Sequence, residues 1–166
     1  MMMAKKMGTV LFFIVSMIHQ GVEGLVSPTA RRIEDVRADF VKHGIVCVDN
    51  FLTRESFRKV REESIARMPQ LVPETLENVA QGRLGMHLSP RSTIARTLLG
   101  SDVIDTLRQI SCSNSLEASD FPVELRRYPL DSRMGWHCDA ALYEIPQIEA
   151  VYTIENTSDS ETQWKR

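Results

Sequence analysis

Tyr128-Pro129-Leu130-Asp131-Ser132-Arg133-Met134-Gly135-Trp136-His137-Cys138-Asp139 is the stretch of this 166-residue chain on which its reading turns. His137 and Asp139 are two residues apart. On a strand, residues i and i+2 point to one face, so an imidazole nitrogen and a carboxylate oxygen can converge on one cation. Cys138 points away by the same alternation, which argues against a thiolate ligand there. A bare His-x-Asp pair is a weak signal, because an exposed His and Asp near a turn give the same pattern. The flanking sequence has to decide.

Working outward, residues 123–130 and 148–155 have strand character, and the second run alternates Ile148, Ala150, Tyr152 and Ile154 with polar or small positions. Upstream the pattern turns helical. Residues 91–111 place Ile94, Leu98, Ile104 and Leu107 on one face, with Gly100 positioned to split the helix in two. Residues 111–118 are small and polar and read as a loop. Residues 69–85 show no clean period and read as irregular.

Thr53 is a good N-cap for a helix from Arg54 to about Arg67, expected to bury Phe57, Val60 and Ile65. Before it, Ile45-Val46-Cys47-Val48 reads as a short buried strand, with Cys47 a buried thiol. Earlier still, Ile33, Val36, Phe40 and Val41 mark a helix that Pro28 can open. His43 suits its C-terminal dipole, and Gly44 stops it. Helices first and strands later suit an α+β domain rather than alternating βαβ units.

Leu125-Arg126-Arg127-Tyr128, the nine-residue spacing from Tyr128 to His137, and Trp136-His137-Cys138-Asp139 resemble the first ligand strand of iron(II)/2-oxoglutarate-dependent dioxygenases, especially the prolyl 4-hydroxylase-like group. Residues 142–149 and 154–159 look like a plant and algal branch of that superfamily. The passage from Gly44 to Phe51-Leu52 and the helix after it is similar to the usual start of such folds. The resemblance covers residues 33–166 loosely and 123–160 well. It implies N-terminal helices on a double-stranded β-helix (a jelly roll), with His137 and Asp139 as metal ligands and Tyr128 lining the 2-oxoglutarate pocket. Two imidazoles and one carboxylate on one octahedral face suit iron(II) and leave the opposite face open to a 2-oxo acid and dioxygen. The implied cofactor is Fe(II), with 2-oxoglutarate as co-substrate and ascorbate as an accessory. The implied reaction is hydroxylation of an unactivated C–H bond, with peptidyl proline suggested by analogy alone.

Two departures stand out. Asp131 occupies a position where the prolyl-hydroxylase pattern usually has glycine. The family pattern also needs a second His and a basic residue downstream, and the 27 residues after Asp139 contain no histidine. The double-stranded β-helix expected here is therefore incomplete, and His87 is the alternative third ligand. Trp136 can wall the pocket or simply pack in the core. Arg126 and Arg127 alternate, so at most one of them faces the site. Two rival readings stay open: a truncated inactive fragment, and a secreted non-enzymatic domain.

The rest of the chain sets the context. Net charge is −2 with no long basic run, so neither nucleic acid nor an anionic membrane has electrostatic support as a partner. Lys5 and Lys6 precede an apolar run from Thr9 to Ile18, with Gly24 ending a plausible cleavage site. Residues 1–24 thus read as a signal peptide. The run is about half the length needed to span a bilayer, so no stable membrane span is expected. The domain is then residues 25–166, localised to the endoplasmic reticulum or secreted, or to a plastid if the host is an alga. The three cysteines, Cys47, Cys112 and Cys138, are no disulfide framework. Asn156-Thr157-Ser158 is a sequon, usable if exposed.

Overall fold

Gly44 ends the first helix, α1 (Ile33–His43), because its left-handed φ of 72° is open to glycine at little cost. This and the rest of the architecture come from a computed structural model that describes residues 9–18, 31–74, 80–130, 132–135 and 143–156. α2 (Arg54–Arg67) opens as expected, with Thr53 Oγ1 accepting the Ser56 N–H at 3.2 Å. Residues 91–111 divide at Gly100 into α3 (Thr93–Leu98) and α4 (Ser101–Ser111). Ser92 caps α3 by accepting the Ala95 N–H at 3.0 Å.

The strands are β1 (Thr9–Ile18), β2 (Val72–Pro73), β3 (Ala80–Gln81), β4 (Leu84–His87), β5 (Leu116–Ala118), β6 (Glu124–Tyr128), β7 (Arg133–Met134) and β8 (Gln147–Asn156). β3 and β7 form a small antiparallel pair. The other six make one sheet. β2 and β4 pair antiparallel, as do β4 and β6. β1 pairs parallel with β5 and β6 along one edge and with β8 along the other. The protein is therefore mixed helix and sheet, with helices and strands largely segregated.

α1 packs on α4, while α2 packs on α3 and on β8, so the helices gather on one face of the large sheet. There Val60, Ile94, Leu98, Leu116, Leu125 and Ile154 form the core. The expected alternation in β8 holds: Ile154 is buried, and Ile148, Ala150 and Tyr152 pack against the same core. The Phe51 and Tyr152 rings meet edge to face at 5.6 Å. Burial pushes the Tyr152 phenol up.

Several expectations are corrected. Residues 45–48 form no strand, and Cys47 is exposed rather than buried. A four-residue apolar run says nothing about whether a partner strand is within reach, and here none is among the described residues. On α2, Phe57 and Ile65 are well exposed while Ser64 is buried, bonding back to the Val60 carbonyl at 2.8 Å. The buried stripe passes through Val60 and Ser64, one turn apart, and leaves the larger side chains outside it. Val41 of α1 is likewise exposed. Residues 69–85 contain β2, β3 and the start of β4, and the 111–118 loop ends in β5. These strands are too short to show a period, and pairing defines them.

Candidate functional site

Strand register sorts β4 and β6 into two faces. Leu84 pairs with Arg127 and Met86 with Leu125 on the helix-covered side; Gly85 pairs with Arg126 and His87 with Glu124 on the other. Tyr128, two residues beyond Arg126, shares that second face. One face of β6 is thus core, and the other is polar.

The polar face is organised as two ion pairs. The Arg83 side chain is only 3% exposed; its Nε donates to Glu74 Oε2 at 2.9 Å, and its Nη2 meets the same carboxylate. Burial works against the charge on Arg83, but the bonds to Glu74 and to the Tyr128 oxygen outweigh it and hold the guanidinium above its ordinary value. The Arg83 guanidinium thus interacts with both Glu74 and Tyr128. Gly85 makes room for this arrangement, since a Cβ there would run into the Glu74 carboxylate. Gly82, at φ 74° beside Ser132, turns the chain from β3 into β4, and the Ser132 hydroxyl donates to the Gly82 carbonyl at 3.3 Å.

The second pair centres on Glu124. It receives Arg126 Nη2 through Oε2 and lies 3.0 Å from His87 Nε2 through Oε1. The Nε of Arg126 is buried with no hydrogen-bond partner among the described residues. His87 is largely exposed, and the Phe121 ring sits edge-on to it at 5.7 Å. The alternative third ligand is thus engaged by a carboxylate on the neighbouring strand. Among the described residues no three His, Cys, Asp or Glu side chains group to hold a metal.

Of the residues singled out in the sequence, Tyr128 ends β6 on this polar face, while His137 and Asp139 lie outside the described residues. So do Asp131, Trp136 and Cys138. The chain leads towards the His-x-Asp pair through β7, whose Met134 Sδ is 3.9 Å from Arg83 Nη1. Arg126, and not Arg127, is the arginine that shares Tyr128's face. Sequence reasoning missed Arg83 and Glu74. An arginine two residues before a buried glycine, in a segment without periodicity, carries no signal of its own until β4 pairs with β6. Asn156 of the sequon closes β8 and is exposed, and residues 157 and 158 lie outside the described residues. No helix among the described residues is long and apolar enough to cross a membrane. No protein-family model, no curated protein and no solved structure matches the chain.

Proposed function

We propose that this chain carries the first part of an iron(II)- and 2-oxoglutarate-dependent dioxygenase domain, built as a helical layer on an incomplete jelly roll. The observation that carries this reading is Tyr128. It stands nine residues before His137, on the polar face of a sheet whose other face is occupied by helices and core. A pocket for a charged co-substrate belongs on such a face.

The donor chemistry fits: one imidazole, His137, and one carboxylate, Asp139, are the ligand types that suit iron(II) with open coordination positions. When bound, the iron and 2-oxoglutarate supply dioxygen activation, with succinate and carbon dioxide as products; ascorbate would serve only to keep the metal reduced. The protein's own share is placement. Tyr128 presents its hydroxyl to the co-substrate, and Arg83, locked by Glu74, fixes where that hydroxyl lies. Core packing behind β6 keeps the strand rigid, which is what a precise pocket requires. Residues 1–24 direct the chain to the secretory route, and the substrate is a C–H bond of a protein or small molecule.

The test uses the chain joined to a downstream segment that supplies a second His and a basic residue. It should release succinate when given iron(II), 2-oxoglutarate and oxygen. His137→Ala and Asp139→Ala should each abolish that release. Tyr128→Phe should raise the KM for 2-oxoglutarate and leave metal binding intact. Normal turnover by His137→Ala would end this reading.

A further inference from the structure

The N-terminal apolar run occupies an unexpected place. β1 is an interior strand of the large sheet, next to the edge strand β8 and hydrogen-bonded on both edges. Ile14 to Ile18 pair with Glu124 to Tyr128 of β6, Thr9 to Leu11 with Leu116 to Ala118 of β5, and Val10 to Ile18 with β8. Because β6 and β8 both run parallel to β1, they run parallel to each other across it.

The two edges agree in phase as far as Ser16; a bulge against β8 between Ser16 and Met17 then shifts the last two pairings on that edge by one residue. Val15 is in register with Leu125 on one side and Tyr152 on the other, and both of those residues belong to the core face. Ile14 is in register with Glu124 and Val151, both on the opposite face. Thr9 is in register with buried Leu116, and Leu11 and Phe13 are in register with Ile148 and Ala150, both packed against the core. A one-residue slip on either edge would reverse every face. Agreement on both edges up to Ser16 is what a strand belonging to this sheet shows. Without β1, β6 and β8 would stand two strand spacings apart, about 9.5 Å, with facing rows of unpaired N–H and C=O groups. Among the described residues β8 has no other strand partner.

We infer that Thr9–Ile18 is a built-in complementing strand: while attached it closes the sheet between β6 and β8, and its removal opens a slot one strand wide. The same residues read as the apolar part of a signal peptide, so cleavage after Gly24 and completion of this sheet draw on one segment. Folding state is thereby tied to processing. His137 and Asp139 play no part in the argument, so it stands or falls apart from the dioxygenase reading.

The register gives a direct test in the full chain with Cys47, Cys112 and Cys138 replaced by serine. Ile14→Cys with Val151→Cys, which face each other in register, should close a disulfide under mild oxidation. Ile14→Cys with Gln147→Cys, four residues out of register and about 13 Å further along the strand, should stay reduced. Equal closure of both pairs, or closure of neither, overturns the proposal.

Amide exchange in the unaltered chain is the second arm. Protection in Glu124–Tyr128 and Gln147–Asn156 should fall at least tenfold in Val15→Pro, which removes a ladder donor from the strand between them, while α2 and α3 stay protected. The same fall should follow when a protease site inserted after Gly24 is cut in the folded chain and the N-terminal piece is separated. Unchanged exchange in β6 and β8 after either treatment overturns it.

Discussion

The two faces of the large sheet obey different rules. Behind it, Ile94, Leu98, Leu116 and Leu125 are sealed under helices, and burial of apolar area holds them together. In front, Arg83 interacts with Glu74 and Tyr128, and Arg126 pairs with Glu124, while Val151, on the same side of β8, is 59% exposed. β6 belongs to both, with Leu125 turned one way and Tyr128 the other. The back face gives stability that any apolar shape of the right volume could supply. The front face depends on which polar groups are present, which is the property a binding surface needs.

That contrast can be broken most severely from behind. Leu98→Ala, at a fully buried site, should cost about 3–4 kcal/mol in denaturant unfolding, from lost transfer energy and the cavity left behind. A cost below about 1 kcal/mol would mean that the helical layer is not a packed core.

On the front face the largest effect should come from Arg83→Met, at about 3 kcal/mol, because Glu74 would be left partly buried without its cation. Adding Glu74→Gln should recover part of that loss. If the double variant is no better than the single, the pair is not what stabilises this face. Gly85→Ala should disturb the same pair by displacing the Glu74 carboxylate, at about 1–3 kcal/mol.

Tyr152 sharpens the comparison through pH. Its folded-state phenol is raised by burial, so the neutral form is the one favoured in the fold. The unfolded chain ionises first, near the ordinary tyrosine value of about 10. The group's contribution is therefore complete below that pH and is lost as pH rises above it, by up to about 1.4 kcal/mol per unit. Unfolding free energies measured above pH 10 should show that slope, and Tyr152→Phe should remove it. The smallest effect belongs to Val151→Thr, on β8 but facing outward, which should change stability by less than about 0.5 kcal/mol. A large loss there would show that the front face is covered.

The helices could be read directly. Gly44, Thr53 and Gly100 each mark a boundary through a local need: a left-handed φ, a cap, or a break. β6 and β8 announced themselves too, the second by strict alternation. Which helical residues are buried was less legible. Phe57 and Ile65 gave way to Ser64 because orientation about α2 is set by its neighbours and not by its own composition. For the candidate site, Tyr128 lies on the polar face of β6, while His137 and Asp139, two residues apart in the sequence, lie outside the described residues.

Tertiary structure alone decided the rest. Arg83, paired with Glu74, comes beside Tyr128 because β4 lies against β6 and Gly85 leaves space, a consequence of pairing between segments some forty residues apart. The place of Thr9–Ile18 was beyond local reading for a different reason. A continuous apolar run fits an export signal and a sheet strand equally well when read by itself. Only the partners on its two edges, β6 and β8, show where the segment sits in the sheet.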